Sequence, residues 1–132
     1  MPIAKLANPF NIASAALKAE SMRMNVAARN VANAESVSTE TKEAWRRKQI
    51  ILSTDAEGKI TFDEVVDTAT DLKQIFKPNH PHADSKGFVS MSNVEVPMEM
   101  MDMMSASRAY QANVASMKRY QDMSEATLQL LR

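Results

Sequence analysis

Two kinds of side chain in this sequence could do chemistry by type and spacing. The only histidines, His80 and His82, flank Pro81. An H-x-H pair can ligate a metal when a strand points both rings one way, with Asp84 as a further ligand. Pro81 and Asn79 favour a turn instead, so a rigid surface or interface loop is the expected role. The second kind is sulfur. Five of the eleven methionines fall in Met98-Glu99-Met100-Met101-Asp102-Met103-Met104. Thioethers bind soft cations such as Cu(I) or line adaptable peptide grooves, but helical spacing makes packing within an assembly the favoured reading. Carboxylates are scattered among lysines and give no paired acid/base geometry. With no cysteine, thiol catalysis and Cys-ligated metals are excluded. Gly58 and Gly87 are too far apart for a phosphate-binding glycine loop or a nucleophile elbow. No cofactor is implied.

The elements that must position these residues follow from periodicity. Phe10, Ala13, Leu17, Met24, Ala27 and Val31 recur on alternating three- and four-residue steps, which predicts a helix over 10–33 with Asn8 and Pro9 at its start. Residues 34–44 lose the periodicity and read as a polar loop. Trp45 to Leu52 suits a strand, followed by a turn at 55–58, a run from Ile60 to about Val66, a short run over 72–77 and an extended segment from Gly87. From Pro97 the helical signal returns. Val96, Met100, Met103, Tyr110, Val114, Met117, Leu128 and Leu131 share one heptad register to a basic end at Arg132. The expected fold is mainly α: long N- and C-terminal helices forming a coiled coil (1–35 and 94–132), with a small β-containing insert over 36–93.

At ~100° per residue, the five clustered methionines cover an arc of roughly 220°, well beyond the ~100° stripe that a surface helix shows to one core. One partner helix and a small insert can hardly surround them, so the missing cover is expected from other chains. Charge is balanced overall at 16 basic and 16 acidic residues, but residues 1–33 carry +3 and residues 34–96 carry −3. No block is basic enough for a nucleic-acid binder. The Arg46-Arg47-Lys48 run reads as a solvated strand face. The longest uncharged stretch, Leu6 to Leu17, is twelve residues and too short for a membrane span. Ala13-Ser14-Ala15 resembles a signal cleavage site, yet the apolar pattern runs straight past it, so no cleaved signal is expected.

Three stretches carry a family resemblance. Asn25-Val26-Ala27-Ala28-Arg29-Asn30-Val31-Ala32-Asn33-Ala34 resembles the N-(I/V/L)-A-N signature of bacterial flagellar rod, hook and related axial proteins. Pro78-Asn79-His80-Pro81-His82-Ala83-Asp84, with Gly87 to Glu95, resembles a segment of the flagellar basal-body rod protein family. Glu99-Met100 and Ser107-Arg108-Ala109-Tyr110-Gln111-Ala112-Asn113 match that family's C-terminal helix signature. Ser92 stands where the family usually has proline, His82 where it often has aspartate, and 36–44 lacks the usual glycines and proline.

The resemblance implies a structural, non-enzymatic subunit, exported unfolded through the flagellar type III apparatus without a cleaved signal. It would polymerise in the periplasm through terminal helices into the drive-shaft that carries torque. Implied partners are copies of itself, other rod proteins, the MS-ring side of the basal body and the export apparatus, without nucleic acid or a membrane span. The expected assembly interface comprises Leu17, Met24, Asn30, Val31, Asn33, Met100, Met103, Arg108, Tyr110, Val114, Met117, Leu128 and Leu131. Asn30 and Asn33 are expected to cap the first helix in a left-handed conformation, or else to bond across subunits. Arg108 is expected to pair with Glu99, Asp102 or another chain's carboxylate. The competing reading is a soluble helical adaptor or export chaperone that holds client segments on its Met-rich helix. A small carboxylate enzyme is the third.

Overall fold

A computed structural model describes residues 9–54 and 60–130. The Asn8 cap, the turn at 55–58, Leu131 and Arg132 lie outside the described residues. Helix α1 is Pro9–Ala32, followed by strands β1 Lys48–Thr54, β2 Ile60–Val66, β3 Lys73–Phe76 and β4 Phe88–Met91, and then helix α2 Val96–Leu130. The protein is therefore mainly helical with a β-containing insert. At ~1.5 Å per residue, α1 is about 36 Å long and α2 about 52 Å.

The insert holds two separate antiparallel pairs, β1 with β2 and β3 with β4. In the first, Lys48 faces Val66 and Thr54 faces Ile60; in the second, Lys73 faces Met91 and Phe76 faces Phe88. The first strand begins at Lys48, three residues later than expected from Trp45. The reason is where the backbone donors go. Trp45 N–H donates to Ser36 Oγ at 2.8 Å and Arg47 N–H to Asn93 Oδ1 at 2.7 Å. Side chains thus satisfy this stretch before a ladder can.

Polar residues also organise the segment after α1. Val37 bridges Met91, Ser38 N–H donates to Ser90 O at 2.8 Å, and Ser92 N–H donates to Ser36 O at 3.1 Å. Strand β4 is thereby paired along both edges. Ser92 occupies the position where proline was the family expectation, and it uses the N–H that proline lacks. In the turn between β3 and β4, Asp84 Oδ1 accepts from Lys86 N–H and Phe88 N–H, each at 2.8 Å. Gly87 closes that turn at φ 81°, and a Cβ there would lie 2.9 Å from Phe76 Cε2 and 3.2 Å from Pro78 Cβ. Only glycine fits both conformation and space. The Phe76 and Phe88 rings meet edge-on at 5.3 Å.

Helices α1 and α2 pack along each other, and β1 packs on α1. The last turns of α1 meet the first turn of α2 through Asn30 and Glu99, so the helices run antiparallel. Their buried faces are lined by small residues, Ala19 and Ala27 on α1 and Ala106 on α2, which allow close approach of the backbones. Relative to the heptad stripe read from sequence, the inward face of α2 is shifted toward Glu99 and Ala106, sharing half-buried Met103, Ser107 and Met117 with it.

Candidate functional site

A buried polar node stands where α1, β1 and α2 meet. Asn30 is fully buried and all four hydrogen-bonding positions of its amide are used. Nδ2 donates to Lys48 O at 2.8 Å and to Glu99 Oε2 at 3.0 Å. Oδ1 accepts from Lys48 N–H at 3.0 Å and from Trp45 Nε1–H at 3.1 Å. Glu99, 2% exposed, takes its second partner from β1's side: Arg47 Nε–H donates to Glu99 Oε1. The same guanidinium reaches Asp102 Oδ2 at 3.1 Å. Asn93 joins the node to the chain after β2 by donating to Thr70 O at 3.2 Å. No described buried side-chain nitrogen or oxygen lacks a partner. A network satisfied this fully fixes one arrangement of its elements, because any slip strands buried polar groups.

Three expectations change here. Asn30 does not end its helix in a left-handed conformation: α1 continues to Ala32, and among the described residues only Gly87 has positive φ. Neither does its amide keep a position open for another subunit. Asn33 caps by another route, its Nδ2 donating to Arg29 O at 2.8 Å with ordinary φ. The basic run 46–48 is no solvated face, since Arg47 points into the node. Arg46 pairs with Glu43 at 2.8 Å and Lys48 with Glu64 at 2.8 Å. Arg47 has also taken the carboxylates expected for Arg108, which is exposed and has no carboxylate partner among the described residues.

A second cluster ties α1 to β2. Glu64 accepts from Arg29 and Lys48, and these bonds, Arg29 first, hold its carboxyl below the usual carboxylate range. Asp67 is lowered by the backbone N–H of Thr70 and then by the Thr70 hydroxyl. Glu43, through its hydrogen bond, raises the Arg46 guanidinium. His80 Nδ1 accepts from His82 N–H at 3.2 Å, folding the pair into a turn with ring centroids 5.7 Å apart. Asp84 is occupied with backbone donors. Among the described residues no three His, Asp or Glu side chains gather as a metal site.

The remaining residues named from sequence divide by helix. Leu17, Met24, Val31 and Asn33 are half-buried in α1 or at its end, and so are Met103 and Met117 in α2. Met100, Tyr110, Val114 and Leu128 are exposed; Leu131 lies outside the described residues. Every residue from 118 to 130 is exposed, with Leu128 at 64% and Leu130 at 88%. Counting back 21 residues along α1 from Asn30 reaches Pro9, which matches Tyr120 on α2 counted forward from Glu99. The rest of α2 thus runs past the first described residue of α1. Trp45, Arg47, Asn93 and Glu99 were missed from sequence as a group because no spacing rule links residues so far apart. Glu99 in a first turn reads simply as a complement to the helix dipole.

Comparison with known proteins completes the description. Residues 85–130 match the family described as "Flagellar basal body rod FlgEFG protein C-terminal". Along nearly its whole length the chain is similar to flagellar basal-body rod proteins named FlgC. It is 42% identical over 130 residues to that of Escherichia coli O6:H1 and 41% identical to that of Salmonella typhimurium, in each case covering 95% of this chain and 97% of the relative. It is 32% identical over 128 residues to that of Agrobacterium fabrum, covering 92% of this chain and 91% of the relative.

Proposed function

Because the chain belongs to the FlgC family of flagellar basal-body rod proteins, we propose that its two helices complete their burial only among neighbouring subunits. The protein is a structural subunit of the bacterial flagellar basal-body rod. The observation that carries the assembly reading is the bare end of α2, residues 118–130, where Met123, Leu128 and Leu130 stand in solvent. Covering such side chains is worth about 1.5–3 kcal/mol each, enough for a handful to drive association. The described residues of 1–35 and 94–132 form the helical core, coiled against each other and against neighbouring copies. Those of 36–93 form the insert, turned to outer contacts.

In this reading the exposed residues Met100, Tyr110, Val114 and Leu128, with Leu131, meet other copies or other rod proteins, while half-buried Leu17, Met24, Val31, Asn33, Met103 and Met117 border that surface. Asn30 serves it from within by fixing α1 against α2. Arg108, without a carboxylate partner among the described residues, meets one on a neighbour. The subunit reaches the periplasm unfolded through the flagellar export apparatus, joins the rod on its MS-ring side and carries torque. The chaperone reading has no support of its own, since the family is structural and the uncovered helix end is explained by assembly.

The test is incorporation. Met100→Asp or Leu128→Asp, each expressed in place of the wild-type protein, is expected to abolish rods and motility while leaving synthesis unchanged. Normal rods containing either variant would show that this surface plays no part in assembly. Arg108→Glu is expected to lower motility, with recovery by Arg108→Lys only in part.

A further inference from the structure

We propose that the methionine cluster at the start of α2 is an oxidation site whose chemical state decides whether a subunit can enter the rod. This rests on the assembly reading above. Met98, Met100, Met101 and Met104 are each between 53% and 60% exposed, within seven residues of a regular helix. They are long, unbranched thioethers presented to solvent, while Met24, Met91 and Met117 of the same chain are half-buried. Oxidation follows exposure, and a Met-rich contact surface is the kind of surface that sulfoxide disrupts.

The reagent is a peroxide. A sulfur lone pair attacks one peroxide oxygen and the O–O bond breaks. Hydroxide leaves, and the proton on the sulfur-bound oxygen passes to it, so hydrogen peroxide is reduced to water as sulfide is oxidised by two electrons to sulfoxide. The product carries a strong S=O acceptor and a new stereocentre. Up to four such dipoles on one apolar face must be desolvated without donors when a neighbour covers it. Once covered, the same sulfurs are out of reach. The sensitive interval is the time before incorporation, and damaged subunits are refused while assembled ones are spared. Repair requires methionine sulfoxide reductases of both stereochemical classes.

Purified full-length protein is treated with hydrogen peroxide and oxygen uptake is followed by peptide mass spectrometry. Methionines 98, 100, 101 and 104 are expected to oxidise at least about fivefold faster than Met24 and Met117; equal rates overturn the site. In cells lacking their own copy, the wild type and a variant carrying Met98→Leu, Met100→Leu, Met101→Leu and Met104→Leu are induced with and without sublethal peroxide. Leucine keeps size, apolarity and helix preference without the oxidisable sulfur. Each is scored as its motile fraction with peroxide relative to its own fraction without it, and that ratio is expected to be severalfold higher for the variant than for the wild type. Met123→Leu alone is expected to remain as sensitive as wild type. A quadruple variant as sensitive as wild type overturns the inference. Failure of the underlying assembly role is read separately from Met100→Asp without peroxide. If that variant is blocked while wild-type incorporation is indifferent to peroxide, the oxidation inference alone falls.

Discussion

The two ends of α2 belong to one continuous helix but answer to different partners. At Glu99 the helix is finished from within: its carboxylate is buried against Asn30 and Arg47, and each polar group in the node has a mate in the same chain. At Leu128 nothing in the described chain covers it, and an apolar side chain stands in water. Hydrogen-bonded geometry therefore governs one end and unsatisfied burial the other. The contrast teaches that a subunit can be rigid where its own elements meet and incomplete where others must join. In the assembly proposed above, specificity of shape comes from the polar end and the drive to associate from the apolar one.

The sharpest way to break this contrast is at its polar end. Glu99→Ala leaves the Arg47 guanidinium with Asp102 alone and one buried Asn30 donor without its partner, and is expected to lower unfolding free energy by about 3 kcal/mol, read from urea denaturation of the purified chain. Asn30→Ala removes four bonds but leaves groups that water can partly reach through the opened space, with an expected loss of about 2 kcal/mol. Gly87→Ala tests whether the node is special. Strain at φ 81° and the contact with Phe76 predict a loss of about 1 kcal/mol or more, confined to the β3–β4 hairpin and visible as faster amide exchange there. A loss as large as that of Glu99→Ala would mean that stability is spread through the insert.

Smaller effects sharpen the same contrast. The Glu64 carboxyl is held low by Arg29 and Lys48. Its contribution is therefore complete above the ordinary glutamate range near 4.3 and fades as pH falls through the lowered value. Glu64→Gln is expected to cost less than about 1 kcal/mol at pH 7 and to approach wild type in acid, since the pair lies at the surface. Leu128→Asp should be the least destabilising, within about 0.5 kcal/mol for the free chain, although it is expected to abolish motility. Substantial destabilisation there would mean that α2 is already packed at that end, contrary to its exposure.

Periodicity made both long helices legible, because alanine-rich, glycine-free segments carry the signal locally. The resemblance of the Asn25–Ala34 and Ser107–Asn113 stretches identified the family. What stayed hidden depends on contacts between distant residues. Arg47 looks like one of three surface cations until Glu99 and Asp102 are placed beside it. Asn30 reads as a cap because its position near a helix end is local, whereas its partners Trp45, Lys48 and Glu99 are not. The heptad stripe of larger side chains coincides only in part with the face α2 turns to α1. Between helices that approach closely, Ala106 goes inside and Met100 stays out. The late start of β1 was equally invisible, since its donors go to Ser36 and Asn93.

The protein's single tryptophan sits in the node. Trp45 gives its indole N–H to Asn30, and the Lys48 ammonium lies 4.7 Å from the ring centroid. Its fluorescence should consequently shift when the insert separates from the helices and stay constant when only the far end of α2 changes. Helix content read by circular dichroism follows the rest. The molecule thus carries its own spectroscopic label at a junction between insert and helices, and the two events can be timed separately in a single unmodified sample.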